Sequence, residues 1–537
     1  MLGGAKLMIG LQHSEHGSRA SVHRRNGGRV DKRIRLESGR LKRPGGSNPS
    51  RSAILELIKK FFPIHAGIFA FNLLVGFLVF GRSARGEYGR LDDYTLVVQS
   101  VAKNHHFREV FFYSGRVIPA VVGDLLFSPV RSVSDLMYLR IVNVVVLAVT
   151  ASVLALIVYK LMSKDSKNYG LIAGCLIGLA VFVVPSSPNA ATWAVQSILH
   201  IAMPLALIAG YLIASLDDKN WKRRMPVAFA LILLSAFTYQ HCVMLAALPV
   251  IFSACQSWAT KKLFEVKKFL YVFISCGVTL FLNLIFVRFL GSGSEKRSFS
   301  QPFAQSLGWF MDTFVPRAIN LGVPDTTNNF RSSLVLALLL LVAPILLRRN
   351  LVVSSLTCIA ACLIAAAVVI PTENWASYRL LFPFQIMLWS GIGFSMFISF
   401  GLGQKQWNVI PVALLSFMLI SGLVNSSKRA WEHFAVPNSV DWVSVNCVLE
   451  KLNPDLPINA LVTTDAADIQ SKVISYDEYG VVGSAVDWSL TNMFNLTSFA
   501  SKQVALNHPT PPVFPKWAAA GQEGTWLSFP QSECVSS

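Results

Sequence analysis

Charged residues are scarce in this chain. Only 14% of its 537 residues are charged, against about 25% in a typical soluble domain. Hydrophobic residues make up 53% of the sequence, and they recur in runs of about 20 residues, the length that crosses the hydrocarbon core of a bilayer. The scarcity of charge excludes an ordinary soluble domain and predicts an integral membrane protein.

Acidic residues are scarcer than basic ones, and the deficit lies mostly near the N terminus. The formal charge is +19 at pH 7, and residues 1–52 hold twelve Lys and Arg against only Glu15, Asp31 and Glu37. This segment has almost no large apolar residue, so it cannot bury enough surface to offset chain entropy, and we expect a disordered tail. Such a tail favours cytoplasmic retention or contact with anionic lipid, and no nucleic-acid partner is expected.

Three further signals are missing from the sequence. No apolar core with a small-residue cleavage site follows Met1, so a removable secretory signal is not expected. No zinc spacing occurs among the eight cysteines, most of which fall in apolar runs and should behave as small hydrophobes. Only Cys447 and Cys534 lie in polar sequence, a pair that an oxidising compartment would allow to bridge. No repeat of fixed period occurs, which argues against a solenoid or propeller.

The apolar runs predict eleven membrane spans, and the basic residues between them predict the orientation. Lys and Arg cluster in alternate connections, so by the positive-inside bias those connections and the basic tail are cytoplasmic. We therefore expect a plasma-membrane protein with a cytoplasmic N terminus and an extracytoplasmic C terminus. The predicted spans are residues 61–80, 138–161, 169–185, 193–215, 225–239, 241–257, 269–290, 332–347, 351–370, 380–400 and 408–425.

This pattern predicts an all-α polytopic membrane protein in three parts. They are the cytoplasmic tail over residues 1–52, a transmembrane domain over 53–425, and a small soluble extracytoplasmic α/β domain over 426–537. The last part has no long apolar run, but it has short strand-like stretches such as NALVTT at 459–464. The first outer loop, 81–137, has apolar residues at helical spacing, which predicts two short amphipathic helices at the bilayer surface.

Two adjacent aspartates lie near the start of that loop, in the stretch LDDYTL at 91–96. Adjacent positions on a helix point about 100° apart, so we expect one of Asp92 and Asp93 to face a cavity while the other braces backbone or an arginine. A carboxylate in low-dielectric surroundings is suited to act as a general base on a hydroxyl. The alternative is an acidic helix start that only stabilises the helix dipole.

Two arginines at the edges of apolar segments are candidate anion ligands. Arg116 lies in SGRVIPAVVGDLLF at 114–127, and Arg379 lies in PTENWASYRLLFPF at 371–384. A planar guanidinium with several donors suits a phosphate. Interfacial arginines that extend to lipid headgroups are the alternative explanation for both positions.

Further polar side chains near these positions are possible substrate ligands. Two of them, the adjacent His105 and His106, could hold a divalent cation together with nearby acidic residues, although adjacent histidines rarely ligate one metal together. No cofactor is otherwise indicated. These possible substrate ligands are His105, His106, Gln240, Glu373 and Tyr378.

The order of these features resembles the GT-C class of membrane glycosyltransferases, and it is most similar to bacterial proteins of the O-antigen glucosyltransferase type. The resemblance covers roughly residues 55–480. It rests on LDDYTL and YSGRVIPAVVGDLLF in the first loop, TYQ at 238–240, YRLLFP at 378–383 and SYDEYG at 475–480. In many relatives a second acidic or basic residue follows the aspartate pair closely, whereas Tyr94, Thr95 and Leu96 follow it here.

The resemblance implies an enzyme that takes a monosaccharide from a polyprenyl-phosphate donor and transfers it, with inversion, to an envelope glycan or glycolipid acceptor at the outer face of the bilayer. Asp92 or Asp93 would be the general base, Arg116 and Arg379 would bind the donor phosphate, and residues 53–425 would form the catalytic domain. The alternatives are a transporter or flippase for a lipid-linked glycan, or a polysaccharide polymerase that uses the loop 291–331.

Overall fold

The structure is a computed structural model of the chain. It describes residues 51–103, 106–163, 167–217, 219–260, 265–290, 303–319, 378–401, 409–455, 458, 460–463, 484, 487–506, 511, 513–515 and 526–529. The chain divides after residue 58, and every contact discussed below lies within the unit Lys59–Ser537.

Helices account for most of the described residues. Two 3₁₀ helices, η1 (Ala194–Ile201) and η2 (Gln240–Ala246), precede α9 and α11, and π-helical turns cover Phe310–Phe314 and Ala430–Ala435. Within the described ranges the α-helices are α1 (Arg51–Ala84), α2 (Asp92–Val101), α3 (His106–Tyr113), α4 (Val117–Phe127), α5 (Leu136–Met162), α6 (Lys167–Gly178), α7 (Ala180–Val183), α8 (Ser187–Thr192), α9 (Ala202–Ala214), α10 (Trp221–Thr238), α11 (Ala247–Ala259), α12 (Lys267–Leu290), α13 (Phe303–Trp309), α14 (Val315–Ile319), α15 (Tyr378–Gly401), α16 (Val409–Arg429), α17 (Val436–Glu450), α18 (Asp487–Asn495) and α19 (Ser498–Ala505).

Among the described residues, six helical segments are long and apolar enough to cross a membrane. They are Pro63–Ala84, Leu136–Met162, Ala194–Ala214, Gln240–Ala259, Lys267–Leu290 and Arg379–Ile398. The prediction of a helical membrane protein is confirmed at this level. Three of the other predicted spans overlap α6, α10 and α16, which are not among the six. The remaining two, 332–347 and 351–370, lie outside the described residues.

Helix α5 packs closely against α6 because α6 carries glycine at every fourth position. A β-carbon placed on Gly174 would lie 2.5 Å from the backbone oxygen of Ala155, and one on Gly178 would lie 2.7 Å from that of Ala151. Small residues at this spacing let two membrane helices bring their backbones together. The row of glycines on α6 therefore brings the backbones of α5 and α6 into close contact.

Arg140, near the start of α5, is buried and holds the turn that follows α1. Its guanidinium donates hydrogen bonds to the backbone oxygens of Ala84 (3.1 Å), Tyr88 (2.7 Å) and Gly86, and it lies 4.0 Å over the ring of Tyr88. A buried arginine in an apolar helix is stabilised when backbone carbonyls accept hydrogen bonds from its guanidinium. Arg140 therefore fixes the chain just before Asp92.

The first loop folds into three helices, not two. The two predicted from apolar periodicity correspond to α2 and α3, and the third, α4, begins directly after Arg116. Helix α4 is apolar on most of its surface, so it lacks the alternation that marks an amphipathic helix. Its sequence, VIPAVVGDLLF, gave no periodic signal for that reason.

The C-terminal part contains a small parallel sheet. Strand β1 (Ala460–Thr463) lies between β2 (Val513–Pro515) and β3 (Trp526–Phe529), and Leu461 pairs with Val513 on one side and with Leu527 on the other. Strand β1 falls within the NALVTT stretch. Parallel neighbours need long crossover connections, which accounts for the spacing of the three strands along the chain.

Candidate functional site

A cavity of about 280 Å³ lies where the first loop meets η1 and the start of α15. We call it the loop cavity. Its apolar lining comes from Val110, Phe111, Val195 and Leu199. The polar side chains that line it are Asp92, Thr95, Gln99, Arg116, Gln196, Arg379 and Asn492.

Helix α2 presents one polar face to the loop cavity. Asp92, Thr95 and Gln99 line the cavity and are half-buried, and their spacing of three and four residues places them on one side of a helix. Tyr94, Leu96 and Val97, which lie between them in sequence, are buried against the rest of the protein. Asp92 is thus the member of the aspartate pair that faces the cavity.

Asp93 has different surroundings. It is fully buried, and its carboxylate accepts hydrogen bonds from the backbone nitrogens of Arg90 (3.0 Å), Ala194 (3.3 Å) and Val195 (2.8 Å). Burial raises the pKa of Asp93 to about 6, while the hydrogen bond from Val195 and the charges of Arg140 and Arg90 act in the opposite direction. A carboxylate that already accepts three backbone hydrogen bonds is suited to bracing, not to exchanging a proton with a substrate.

Asp93 braces the first residues of η1. The backbone nitrogens at a helix start have no partner within the helix, and a carboxylate there satisfies them and interacts favourably with the helix dipole. Asp93 does this across about a hundred residues of sequence, since its partners are Ala194 and Val195. The next residue of η1, Gln196, is held at the wall of the loop cavity.

Gln196 is the most buried polar group of the cavity lining. It is 1% exposed, and its Nε2 has no hydrogen-bond partner within the part of the chain that the structure describes. An amide nitrogen without a partner at such a position costs free energy unless a bound group accepts from it. Gln196 therefore provides a donor for a group bound in the cavity.

Arg90 makes a second connection between the first loop and the segment before η1. Its Nη1 donates to the Oδ1 of Asn189 (2.7 Å) and to the Oγ1 of Thr192 (3.1 Å). The guanidinium also lies 4.8 Å from the ring centre of Trp193 and 4.7 Å from that of Phe434. With Asp93 this arrangement fixes α2 relative to η1.

Arg116 is positioned by a tight turn. Gly115, just before it, has a φ of +78°, and a β-carbon there would lie 2.7 Å from Val287 and 2.8 Å from the Oδ1 of Asn283. Asn283 donates to the backbone oxygen of Gly115 (2.7 Å), and Gln240 donates to that of Ser114 (3.0 Å) and to Asn283 (3.0 Å). Only glycine fits this turn, which directs Arg116 to the cavity.

Both cavity arginines lie against aromatic rings. The Arg116 guanidinium is 5.4 Å from the ring centre of Tyr239, and that of Arg379 is 5.1 Å from the ring centre of Trp193. Stacking on an aromatic face restricts a guanidinium while leaving edge donors directed elsewhere. Trp193 is itself held by α5, because Asn143 donates to its backbone oxygen at 2.8 Å.

The C-terminal part closes one side of the site. Asn492 of α18 lines the cavity and donates to the Oγ1 of Thr95 at 2.7 Å. Tyr94 stacks on Trp442 of α17, with ring centres 5.6 Å apart. Two elements from beyond residue 435 thus cover α2.

Of the other predicted ligands, Gln240 is the one whose side chain the structure describes, and it does not line the cavity. Gln240 belongs to the hydrogen-bonded network that holds the turn before Arg116. His106 is the first residue of α3 and Tyr378 the first of α15, but the side chains of both lie outside what the structure describes. His105 and Glu373 lie wholly outside the described residues. No group of three or more His, Cys, Asp or Glu side chains suited to a metal ion occurs within the described ranges.

The arrangement combines one half-buried carboxylate with two guanidinium groups and a buried amide donor in one small cavity. A carboxylate can accept a proton from a bound hydroxyl, and guanidinium groups can stabilise charge on a phosphoryl leaving group. Sequence reasoning did not assign Gln196 or Asn492. The signal for Gln196 is that SSPNAATWAVQ interrupts an apolar stretch with groups able to form hydrogen bonds; Asn492 gives no local signal.

Comparison with known proteins adds no family to this site. No protein-family model matches the chain, and neither a curated protein nor a solved structure matches it.

Proposed function

We propose that the chain is an integral membrane glycosyltransferase of the GT-C type. It moves a monosaccharide from a polyprenyl-phosphate donor to an envelope glycan or glycolipid acceptor at the outer face of the plasma membrane. The observation that carries the proposal is that Asp92, Arg116 and Arg379, which are far apart in sequence, line one cavity.

The reaction assigns a role to each of these side chains. The acceptor hydroxyl attacks the anomeric carbon, its proton passes to the Asp92 carboxylate, and the bond between that carbon and the phosphate oxygen breaks with inversion. The electron pair of the broken bond stays on the donor phosphate. Arg116 and Arg379 stabilise this negative charge, and fixed guanidinium groups in a partly dry site do so better than water.

The division between the two aspartates supports Asp92 as the base. The Asp93 carboxylate already accepts three backbone hydrogen bonds, whereas Asp92 lines the cavity and is half-buried. A general base needs direct reach to the hydroxyl that it deprotonates. Asp93 acts as a positioning residue in this proposal.

The proposed topology has eleven spans, a cytoplasmic N terminus and an extracytoplasmic C-terminal α/β domain. The disulfide bond of Cys447 supports this orientation of the C-terminal part, because disulfides persist in oxidising compartments. Asn492 links this part to the wall of the loop cavity, so the cavity lies on the same side in the proposal.

The test is a transfer assay with the purified full chain in lipid nanodiscs, a panel of synthetic polyprenyl-phosphate monosaccharides and extracted lipid-linked envelope glycan. We expect one donor to give a product heavier by one sugar residue. Mass spectrometry of envelope glycans from cells that lack the protein should show the matching loss. If every donor remains intact and the glycan masses are unchanged, the proposal is wrong.

A second assay separates transfer from transport. Proteoliposomes without acceptor would move the lipid-linked donor across the bilayer if the chain were a flippase, and they would leave its distribution unchanged if the chain is a transferase. Arg140, the buried basic residue of α5, donates to three backbone oxygens, so it is not arranged as a transport site. Most of the loop on which the polymerase alternative depends, 291–331, lies outside the described residues.

A further inference from the structure

A second cavity, of about 350 Å³, lies at the other end of helix α5. Arg140 contacts the turn before Asp92, and Lys160, which lines the second cavity, is 20 residues further along α5. At 1.5 Å per residue this separation is about 30 Å, close to the thickness of a bilayer core. We call this the lysine cavity.

Helix α11 presents a polar stripe to the lysine cavity. Ser253, Gln256 and Ser257 of α11 line it together with Thr260, the residue that caps the helix, and their spacing of three, one and three residues places them on one side of the helix. The rest of α11 toward its start is apolar and buried. Polar side chains that face the interior of a membrane protein mark a polar cavity or a binding site.

The charge that lines this cavity is positive. Lys160, in the last turn of α5, and Lys268, in the first turn of α12, both line it, and no carboxylate does so among the described residues. Two described acids adjacent in sequence to the lining are engaged elsewhere: Glu265 pairs with Lys267 at 3.2 Å, and Asp217 accepts from the backbone nitrogens of its own turn.

Stabilisation of helix ends does not account for both lysines. Three helices, α5, α9 and α11, end near the cavity, while α10 and α12 begin there, as the contacts of Arg224 with Ser215 and of Lys268 with Ala214 establish. Helix ends carry about half a charge each, negative at the C terminus and positive at the N terminus. Together the five ends leave about half a negative charge, which is less than the two positive charges of the lysines, so positive charge remains available for a ligand.

The donors that face the cavity suit an anion with several acceptor oxygens. Lys268 uses one of its N–H groups on the Ala214 oxygen at 3.1 Å, and an ammonium has three. Tyr211 and Ser253, which each carry a hydroxyl, also line the cavity. The volume of the cavity falls within the range of about 300 to 1,000 Å³ for pockets that take small organic ligands.

We propose that the lysine cavity is a binding site for a phosphate ester, held by Lys160 and Lys268 and by the hydroxyls of Tyr211 and Ser253. Phosphate supplies the acceptors that two ammonium groups and two hydroxyls require. It reaches the cavity either as an anionic lipid headgroup or as a soluble phosphate ester. The site is independent of the proposed transferase activity, and its test does not measure sugar transfer.

The test is isothermal titration of the detergent-purified full chain with two probes, inorganic phosphate and dihexanoyl phosphatidylglycerol. Dihexanoyl phosphatidylcholine, which is zwitterionic, is the reference. We expect the Lys160→Gln/Lys268→Gln double variant to bind about thirtyfold more weakly than the wild type. Lys160→Gln alone should weaken binding about fivefold, and this variant leaves the hydrogen bond of Lys268 intact.

The control is Lys219→Gln/Arg223→Gln, which removes two exposed basic charges near the same end of the bundle. We expect it to bind as the wild type does. Binding of both probes assigns recognition to the phosphate group itself, and binding of the lipid alone assigns it to a headgroup with its glycerol; either result supports the site. The proposal is overturned if neither probe binds better than the reference, or if the control weakens binding as much as the double variant.

Discussion

The loop cavity and the lysine cavity differ in the cations that line them and in whether an acid is present. The loop cavity has two arginines and the Asp92 carboxylate, whereas the lysine cavity has two lysines and no carboxylate among the described residues. Guanidinium groups stacked on rings are oriented donors, while ammonium groups are flexible point charges. The first arrangement is suited to a reaction that moves a proton and stabilises charge, and the second is suited to binding an anion.

The strongest test of this comparison is removal of the acid from the loop cavity. Asp92→Asn keeps the size of the side chain but cannot accept a proton, so we expect kcat for sugar transfer to fall about 10³-fold. Asp124→Asn is the control, because Asp124 is a half-exposed acid of the same loop that pairs with Arg108 at 3.8 Å. Equal activity of the Asp92→Asn protein and the control would remove Asp92 from the role of base.

Exchange of the arginines for lysine tests whether oriented donors matter at the loop cavity. Arg116→Lys and Arg379→Lys each keep the charge but lose the planar donor set, and we expect transfer to slow about 10²-fold in each. Arg85→Lys, at an exposed position, should leave the rate near that of the wild type. If lysine supports full activity at both positions, the loop cavity requires only charge, and the contrast between the two cavities disappears.

The buried amide tests whether the wall of the loop cavity contributes to binding. Gln196→Met is similar in size but has no amide donor, so we expect about a tenfold loss in kcat/KM. Ser197→Ala is the matched control, because Ser197 is the next residue of η1 and is buried, but does not line the cavity. An unchanged kcat/KM for Gln196→Met would mean that substrate makes no contact with this side chain.

The sequence predicted the parts of this molecule that depend on local composition. Apolar length predicted the six helices that can cross a membrane, and the spacing of Asp92 and Asp93 predicted that the two side chains point in different directions, as the structure has them. The roles of these residues in chemistry stay predictions. The number of eleven spans and the separate C-terminal domain also remain untested.

The features that the sequence did not predict depend on distant contacts. Asp93 binds the start of η1, about a hundred residues away, and Asn492 reaches Thr95 across nearly four hundred. No periodicity within either segment records its partner. Gln240 was predicted to be a possible ligand from its polar surroundings, but its hydrogen bonds to Ser114 and Asn283 hold the turn before Arg116. A polar side chain in an apolar stretch indicates a partner, and the sequence does not tell whether that partner is substrate or backbone.

The smallest expected effect is the dependence of stability on the ionisation of Asp93. Its pKa is raised to about 6 by burial, against about 3.9 in an unfolded chain, so the folded state binds more protons between these values. The stability that this group contributes is present below about pH 4 and is lost as the pH rises through about 6. We expect the thermal unfolding midpoint in detergent to fall by a few degrees across this window.

The control is Asp93→Asn, whose side chain cannot titrate, so its midpoint should show no such fall. Parallel curves for the two proteins would mean that Asp93 is ionised throughout, with its backbone hydrogen bonds from Val195 and Arg90 outweighing the effect of burial.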